Sequence, residues 1–279
     1  MEKIKNIVLQ GKHDKPILLD AFFKRNNQPK PIVIFCHGYK GFKDWGAWDL
    51  MAEALAKDTF FVKFNFSHNG GTVEQPIDFP DLEVFGNNNY TKELDDLESV
   101  IDWVFENEEF SNEINTDLVT LIGHSRGGGI VSIKAAEDSR VKKVITLGGV
   151  SNFSEQSSTV GDLEQWKKDG VKYVLNGRTK QQMPHYYQFY ENYKANEKRL
   201  TIQRAVEKLK VPLCIIHGSG DTSIIMNEAE KLHSWSSNSE LHIINEANHV
   251  FGAKHPWEDD ILPTDLQKVV AVCKSFLGN

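Results

Sequence analysis

The chain has 279 residues, 40% of them hydrophobic and 25% charged, and a formal net charge of −7. That size and balance fit one soluble α/β domain with an insertion, large enough to bury a core without disulfide support. The acidic balance argues against a nucleic-acid binder, which needs a basic face. No apolar run approaches the roughly 18 residues a membrane-spanning helix requires.

In chain order, residues 4–10 and 16–23 are β-type runs around the polar Gly11-Lys12-His13-Asp14, and read as a hairpin at a sheet edge. Residues 31–36 (Pro-Ile-Val-Ile-Phe-Cys) form a continuous apolar run suited to a strand covered on both faces. Trp48, Met51, Ala52 and Leu55 share one helical face, and 60–66 is the next strand. The Gly, Asn and Pro-rich stretch 67–89 reads as loop. Leu94, Leu97, Ile101 and Val104 then repeat at helical spacing. A strand at 118–122, a helix starting near Arg126 and a strand at 144–147 follow. Two more strands, 211–216 and 241–244, bracket a helix-length segment, and Val269, Val270, Cys273 and Phe276 mark a last helix.

Alternating strands and helices imply a mostly parallel sheet with helices on both faces. The interval 151–210 is far longer than one crossover needs. It reads as an inserted cap on a core made of 1–150 and 211–279. Its cationic end, Lys198 to Lys210, is interleaved with Leu200, Ile202, Ala205, Val206 and Leu209, the pattern of an amphipathic helix with a solvated face. Three cysteines, Cys36, Cys214 and Cys273, are an odd number, two of them in apolar runs, so buried free thiols and a reducing compartment are expected. The first residues lack the apolar core of a signal peptide, which makes the cytoplasm the expected location.

Gly123-His124-Ser125-Arg126-Gly127 matches Gly-x-Ser-x-Gly where a strand ends and a helix begins. A turn that sharp excludes side chains at its flanks and pushes the serine hydroxyl outwards. A serine hydroxyl needs a base to take its proton, and the base needs an orienting partner. Asp221 follows the strand 211–216 and His249 follows 241–244, each just past a strand's carboxyl end, where open parallel sheets place their sites. Taken alone, an Asp after Gly-Ser-Gly is more often a turn residue. Among ten histidines, His255 is the rival for the base, while His37, His124 and His217 lie at strand ends and read as structural. The turn His37-Gly38-Tyr39-Lys40-Gly41 can present the backbone N–H of Tyr39, with that of Arg126, to a developing oxyanion. No His-Glu-x-x-His or paired Cys-x-x-Cys spacing marks a metal site.

On these residues, from about 31 to the C-terminus, the chain resembles the α/β-hydrolases. Through His-Gly-Tyr-Lys-Gly and its cap position it resembles their dienelactone-hydrolase-like and feruloyl-esterase-like branches, although the nucleophile is serine and not the cysteine of true dienelactone hydrolases. The resemblance implies a sheet of about eight strands, no cofactor, and hydrolysis of a small-molecule ester through an acyl-enzyme on Ser125, Asp221 and His249. A peptidase or amidase with the same triad is the alternative within enzymes, and a non-catalytic binding protein the alternative outside them. The cap, rich in aromatics such as Trp166, Tyr186 and Tyr187, is expected to cover the site and line the substrate pocket. No nucleic-acid or membrane partner is expected, and the oligomeric state is left open.

Overall fold

Short runs of β-branched and aromatic residues become strands when helices can cover both faces. In the computed structural model, which describes residues 1–278, that condition is met across an eight-stranded sheet. Its strands are β1 (Glu2–Leu9), β2 (Ile17–Phe23), β3 (Lys30–Cys36), β4 (Phe60–Asn65), β5 (Ile114–His124), β6 (Val141–Leu147), β9 (Leu213–Gly218) and β10 (Ser239–Ile244). A separate hairpin pairs β7 (Val171–Leu175) with β8 (Gln182–Tyr186). The sheet order is β1-β2-β4-β3-β5-β6-β9-β10. From β4 to β10 neighbouring strands are parallel, while the β1–β2 hairpin and the β2–β4 pair are antiparallel, which places the hairpin at the sheet edge.

The period of two along each strand splits the core into two layers. Ile32, Ile34 and Cys36 of β3 join Val119 and Leu121 of β5 on one face. That face is covered by α3 (Tyr90–Glu106), α4 (Arg126–Glu137), α7 (Ile202–Lys208) and α8 (Met226–Trp235). Val33 and Phe35 point the other way, into a layer closed by α1 (Trp48–Leu55) and α9 (Thr264–Gly278). All three cysteines are free and buried. Among the described residues no helix is long and apolar enough to cross a membrane.

Two segments differ from the sequence reading. The stretch read as loop contains a short helix, α2 (Leu82–Gly86), started by the Asp81 carboxylate accepting the Val84 N–H at 2.9 Å. Five residues cannot display a 3.6-residue period, so only the cap and the packing of Phe85 on Phe79 reveal it. The interval 151–210 divides in two. α5 (Leu163–Asp169), the β7–β8 hairpin and α6 (Gln188–Ala195) stand apart from the main sheet, whereas α7 packs between α4 and α8 as a layer helix. The interleaved apolar residues explain this, because Leu200, Ile202, Ala205, Val206 and Leu209 are buried while Lys198, Lys208 and Lys210 face solvent.

Candidate active site

Between the last residue of β5 and the first of α4 stands one residue, Ser125, which must reverse the chain alone. It does so at φ 56° and ψ −120°, a conformation costly for any residue with a Cβ. The backbone around it leaves no alternative. A Cβ on Gly123 would sit 2.2 Å from the Gly127 carbonyl oxygen, and one on Gly127 would sit 2.5 Å from that of Cys36. The Ser125 N–H donates to the Leu147 carbonyl at 2.9 Å, and its own carbonyl accepts from Gly128 at 2.9 Å and Val150 at 3.2 Å. These bonds hold the strain, and the serine side chain is left free of any capping bond.

Asp221 and His249 arrive from the ends of β9 and β10, which are adjacent strands, and meet: His249 Nδ1 lies 2.7 Å from Asp221 Oδ2. The other carboxylate oxygen accepts the N–H groups of Ser223 at 2.8 Å and Ile224 at 2.9 Å. Burial works to raise the Asp221 pKa, but the bond and charge of His249 and these two donors outweigh it, so the group is held below the usual carboxylate range. His255 is engaged elsewhere. Its Nδ1 accepts the Gly46 N–H at 2.9 Å, and its ring packs on Phe42 and Trp45. His124, inside the elbow motif, donates its Nε2–H to the His249 carbonyl at 2.9 Å and packs its ring 4.7 Å from the His249 ring. It therefore steadies the loop that carries His249.

The turn after β3 closes by a Gly41 N–H bond to the Gly38 carbonyl at 3.0 Å. A Cβ on Gly38 would come within 2.8 Å of the Ser125 Cβ, so glycine is what lets this turn approach the serine. His37 fixes the turn by donating from Nδ1 to the Gly38 carbonyl at 2.9 Å and accepting the Phe66 N–H at Nε2. The first N–H groups of a helix have no intrahelical acceptor, which leaves that of Arg126 free beside the serine.

The side chains of Tyr39 and Arg126 tie the core to the cap. The Arg126 guanidinium is buried over the Tyr39 ring at 4.3 Å, paired with Glu93 at 3.1 Å and bonded to Ser158 at 2.7 Å. The Tyr39 hydroxyl shares a 2.6 Å hydrogen bond with His185 Nε2, on β8 of the cap. Glu93, Ser158 and His185 escaped the sequence reading because each comes from a separate segment and none belongs to a motif.

Tyr39, Lys40, Trp45, Trp48, Ser125 and His249 line one cavity of about 190 Å³. Trp166, Tyr186 and Tyr187 do not line it. Trp166 is buried and donates its indole N–H to the His185 carbonyl at 2.7 Å, with the Tyr187 ring edge-on to it. Tyr186 donates its hydroxyl to Glu83 at the start of α2. These aromatics bind the cap to its own parts and to α2. The carboxylates of Asp20, Asp44 and Asp49 also converge, and none of them lines this cavity. Lys43 and Lys63 lie 2.8 and 2.7 Å from Asp20, and Lys5 lies 2.9 Å from Asp44, so the cluster already holds its cations.

Several buried groups here should make stability depend on pH. Burial brings His37 and His68 down to about 4 and His124 to about 3, with the charges of Arg126 and Lys92 and the nearness of His249 adding to it, respectively. Burial likewise lifts Asp96 to about 7. The stability from a depressed histidine is complete above its ordinary value near about 6.5 and is lost as pH falls towards the folded value. Asp96 acts in reverse, its contribution fading as pH rises through about 7. Between roughly pH 4 and 6.5 these four groups take up three protons and release one on unfolding, and His185 and His255, also held below their ordinary value by burial, add to the uptake. Each net proton taken up corresponds to about 1.4 kcal/mol lost per pH unit on acidification. Urea unfolding at pH 5 and 6.5 checks this, and equal stabilities at the two values would refute it.

Residues 31–190, more than half of the chain, match the sequence profile of a family described as the alpha/beta hydrolase fold. Among solved structures the chain is similar to Est1E from Butyrivibrio proteoclasticus, at 16% identity and a TM-score of 0.72 over 98% of this chain and 97% of that one. It is also similar to a dienelactone hydrolase from Anabaena variabilis, at 16% identity and a TM-score of 0.63 over 98% and 95%. A curated relative, the monoacylglycerol lipase ABHD6 of Rattus norvegicus, is 21% identical over 81% of this chain and 72% of the relative. Sheet order, the strained turn after β5 and the family match agree, and the chain belongs to the α/β-hydrolases.

Proposed function

We propose that this hydrolase cleaves short carboxylic esters through an acyl-enzyme on Ser125. The observation that carries the reading is the 2.7 Å bond between His249 Nδ1 and Asp221, with Ser125 lining the same cavity as His249. With Nδ1–H donated to the carboxylate, His249 keeps its Nε2 lone pair for a proton. Ser125 Oγ adds to the ester carbonyl carbon while its proton passes to His249. The oxygen of the tetrahedral adduct takes the N–H groups of Tyr39 and Arg126. Collapse breaks the bond to the alcohol, which leaves with the proton from His249. Water then repeats the sequence on the acyl-enzyme, releasing the acid and restoring Ser125.

A cavity of about 190 Å³ suits a short acyl group better than a long chain. The cap reaches this site through His185 on Tyr39 and Leu175 on Lys40, and those contacts, not the Trp166 cluster, are where it can influence substrate choice. The lipase and hydrolase names of the relatives fit the same reaction class. Purified protein mixed with 4-nitrophenyl butyrate should release a burst of 4-nitrophenolate equal to the enzyme, and a fluorophosphonate should label Ser125. Butyryl 4-nitroanilide should be cleaved far more slowly. Comparable anilide turnover would reassign the enzyme as an amidase, and absence of both label and turnover would overturn the reading.

A further inference from the structure

Lys40 stands in the turn beside the nucleophile, in the third position of the Gly38–Gly41 turn, at φ 54°. That conformation favours glycine or asparagine, and a lysine there costs about 1 kcal/mol. The strain comes with a particular placement. The lysine lines the same cavity as Ser125 and His249, and no carboxylate lines that cavity. Its ammonium lies 3.5 Å from its one protein acceptor, the Leu175 carbonyl of the cap hairpin, and 5.0 Å from the centre of the Tyr39 ring. Arg126 sits over the same ring at 4.3 Å, with its own charge paired to Glu93. Burial first, and then the Arg126 charge, bring the Lys40 pKa below its ordinary value. On a chain of net charge −7, this cavity is lined by one cation, Lys40, and by no carboxylate.

We propose that Lys40 selects esters bearing a carboxylate, whose anion pairs with its ammonium while Ser125 attacks the ester carbonyl. This rests on the esterase reading above. A charge-assisted bond of this kind is worth about tenfold or more in binding. Three probes of similar size separate the cases: 4-nitrophenyl butyrate is neutral, 4-nitrophenyl hemisuccinate carries its anion on the acyl side, and 4-carboxyphenyl butyrate on the alcohol side.

The readout is the ratio of kcat/KM for an anionic ester to that for the neutral one. Lys40→Met should lower that ratio about tenfold or more for at least one anionic probe, and the probe affected shows which side of the ester faces Lys40. Lys40→Arg should keep most of the ratio, and raised salt should lower it in the wild type. Should Lys40→Met fail to fold, Lys40→Gly, which the left-handed backbone takes without strain, carries the same test. If both ratios are unchanged in the variant, or all three esters lose equally, Lys40 is a tether to the cap hairpin and the inference falls while the esterase reading stands. No hydrolysis of any ester, with no label at Ser125, removes that reading and this inference together.

Discussion

Ser125→Ala should lower kcat for ester cleavage by on the order of 10⁶ while the protein unfolds at an unchanged denaturant concentration. The two halves of that expectation have separate causes. Stability at this position comes from the backbone, since the bonds to Leu147, Gly128 and Val150 use only main-chain atoms and alanine keeps them all. Both residues carry a Cβ at φ 56°, so the strain is the same before and after. In the proposed reaction activity depends on the hydroxyl oxygen, for which alanine has no substitute. His249 and Asp221 then have no nucleophile to serve, and the remaining donors can only bind the carbonyl. Rates and a urea melt on the same preparation test both halves. A variant retaining a tenth of wild-type kcat would show that Ser125 is not the nucleophile.

Asp221→Asn should lose roughly 10⁴ in kcat, again with little loss of stability. The carboxylate oxygen facing Ser223 and Ile224 accepts two backbone N–H groups, at 2.8 and 2.9 Å. An amide must keep its own oxygen there, because turning its NH₂ towards those donors would bury two opposed hydrogens. The NH₂ is thereby aimed at His249 Nδ1, in the place of the oxygen now 2.7 Å away. An NH₂ can only donate, so the imidazole must accept at Nδ1 and carry its hydrogen on Nε2. The lone pair that would take the serine proton is gone. Steady-state kcat for 4-nitrophenyl butyrate measures the loss, and a decrease under tenfold would mean that Asp221 does not set the tautomer.

Much of this was written locally. The elbow is legible because its requirement is local: a reversal in one residue forbids side chains at Gly123 and Gly127 wherever such a turn occurs. Strands β3, β5, β6 and β9 are legible because burial on both faces demands continuous apolar runs, and the edge hairpin because a polar turn separates two β-type runs. The order of Ser125, Asp221 and His249 along the chain also follows from strand ends alone. What the sequence could not decide is which side chains meet across long separations. His249 and His255 are six positions apart and chemically identical. Only the fold gives one to Asp221 and occupies the other with the Gly46 N–H and the Trp45 ring. The aromatic content of the cap says that rings pack, but not against what, and Trp166 turns inward to the His185 carbonyl. Tyr39 and His185 are 146 residues apart, and Arg126 and Glu93 are 33 apart. Periodicity reports the face on which a residue lies, and it carries no information about the partner brought to that face by another segment, so those contacts belong to the tertiary structure alone.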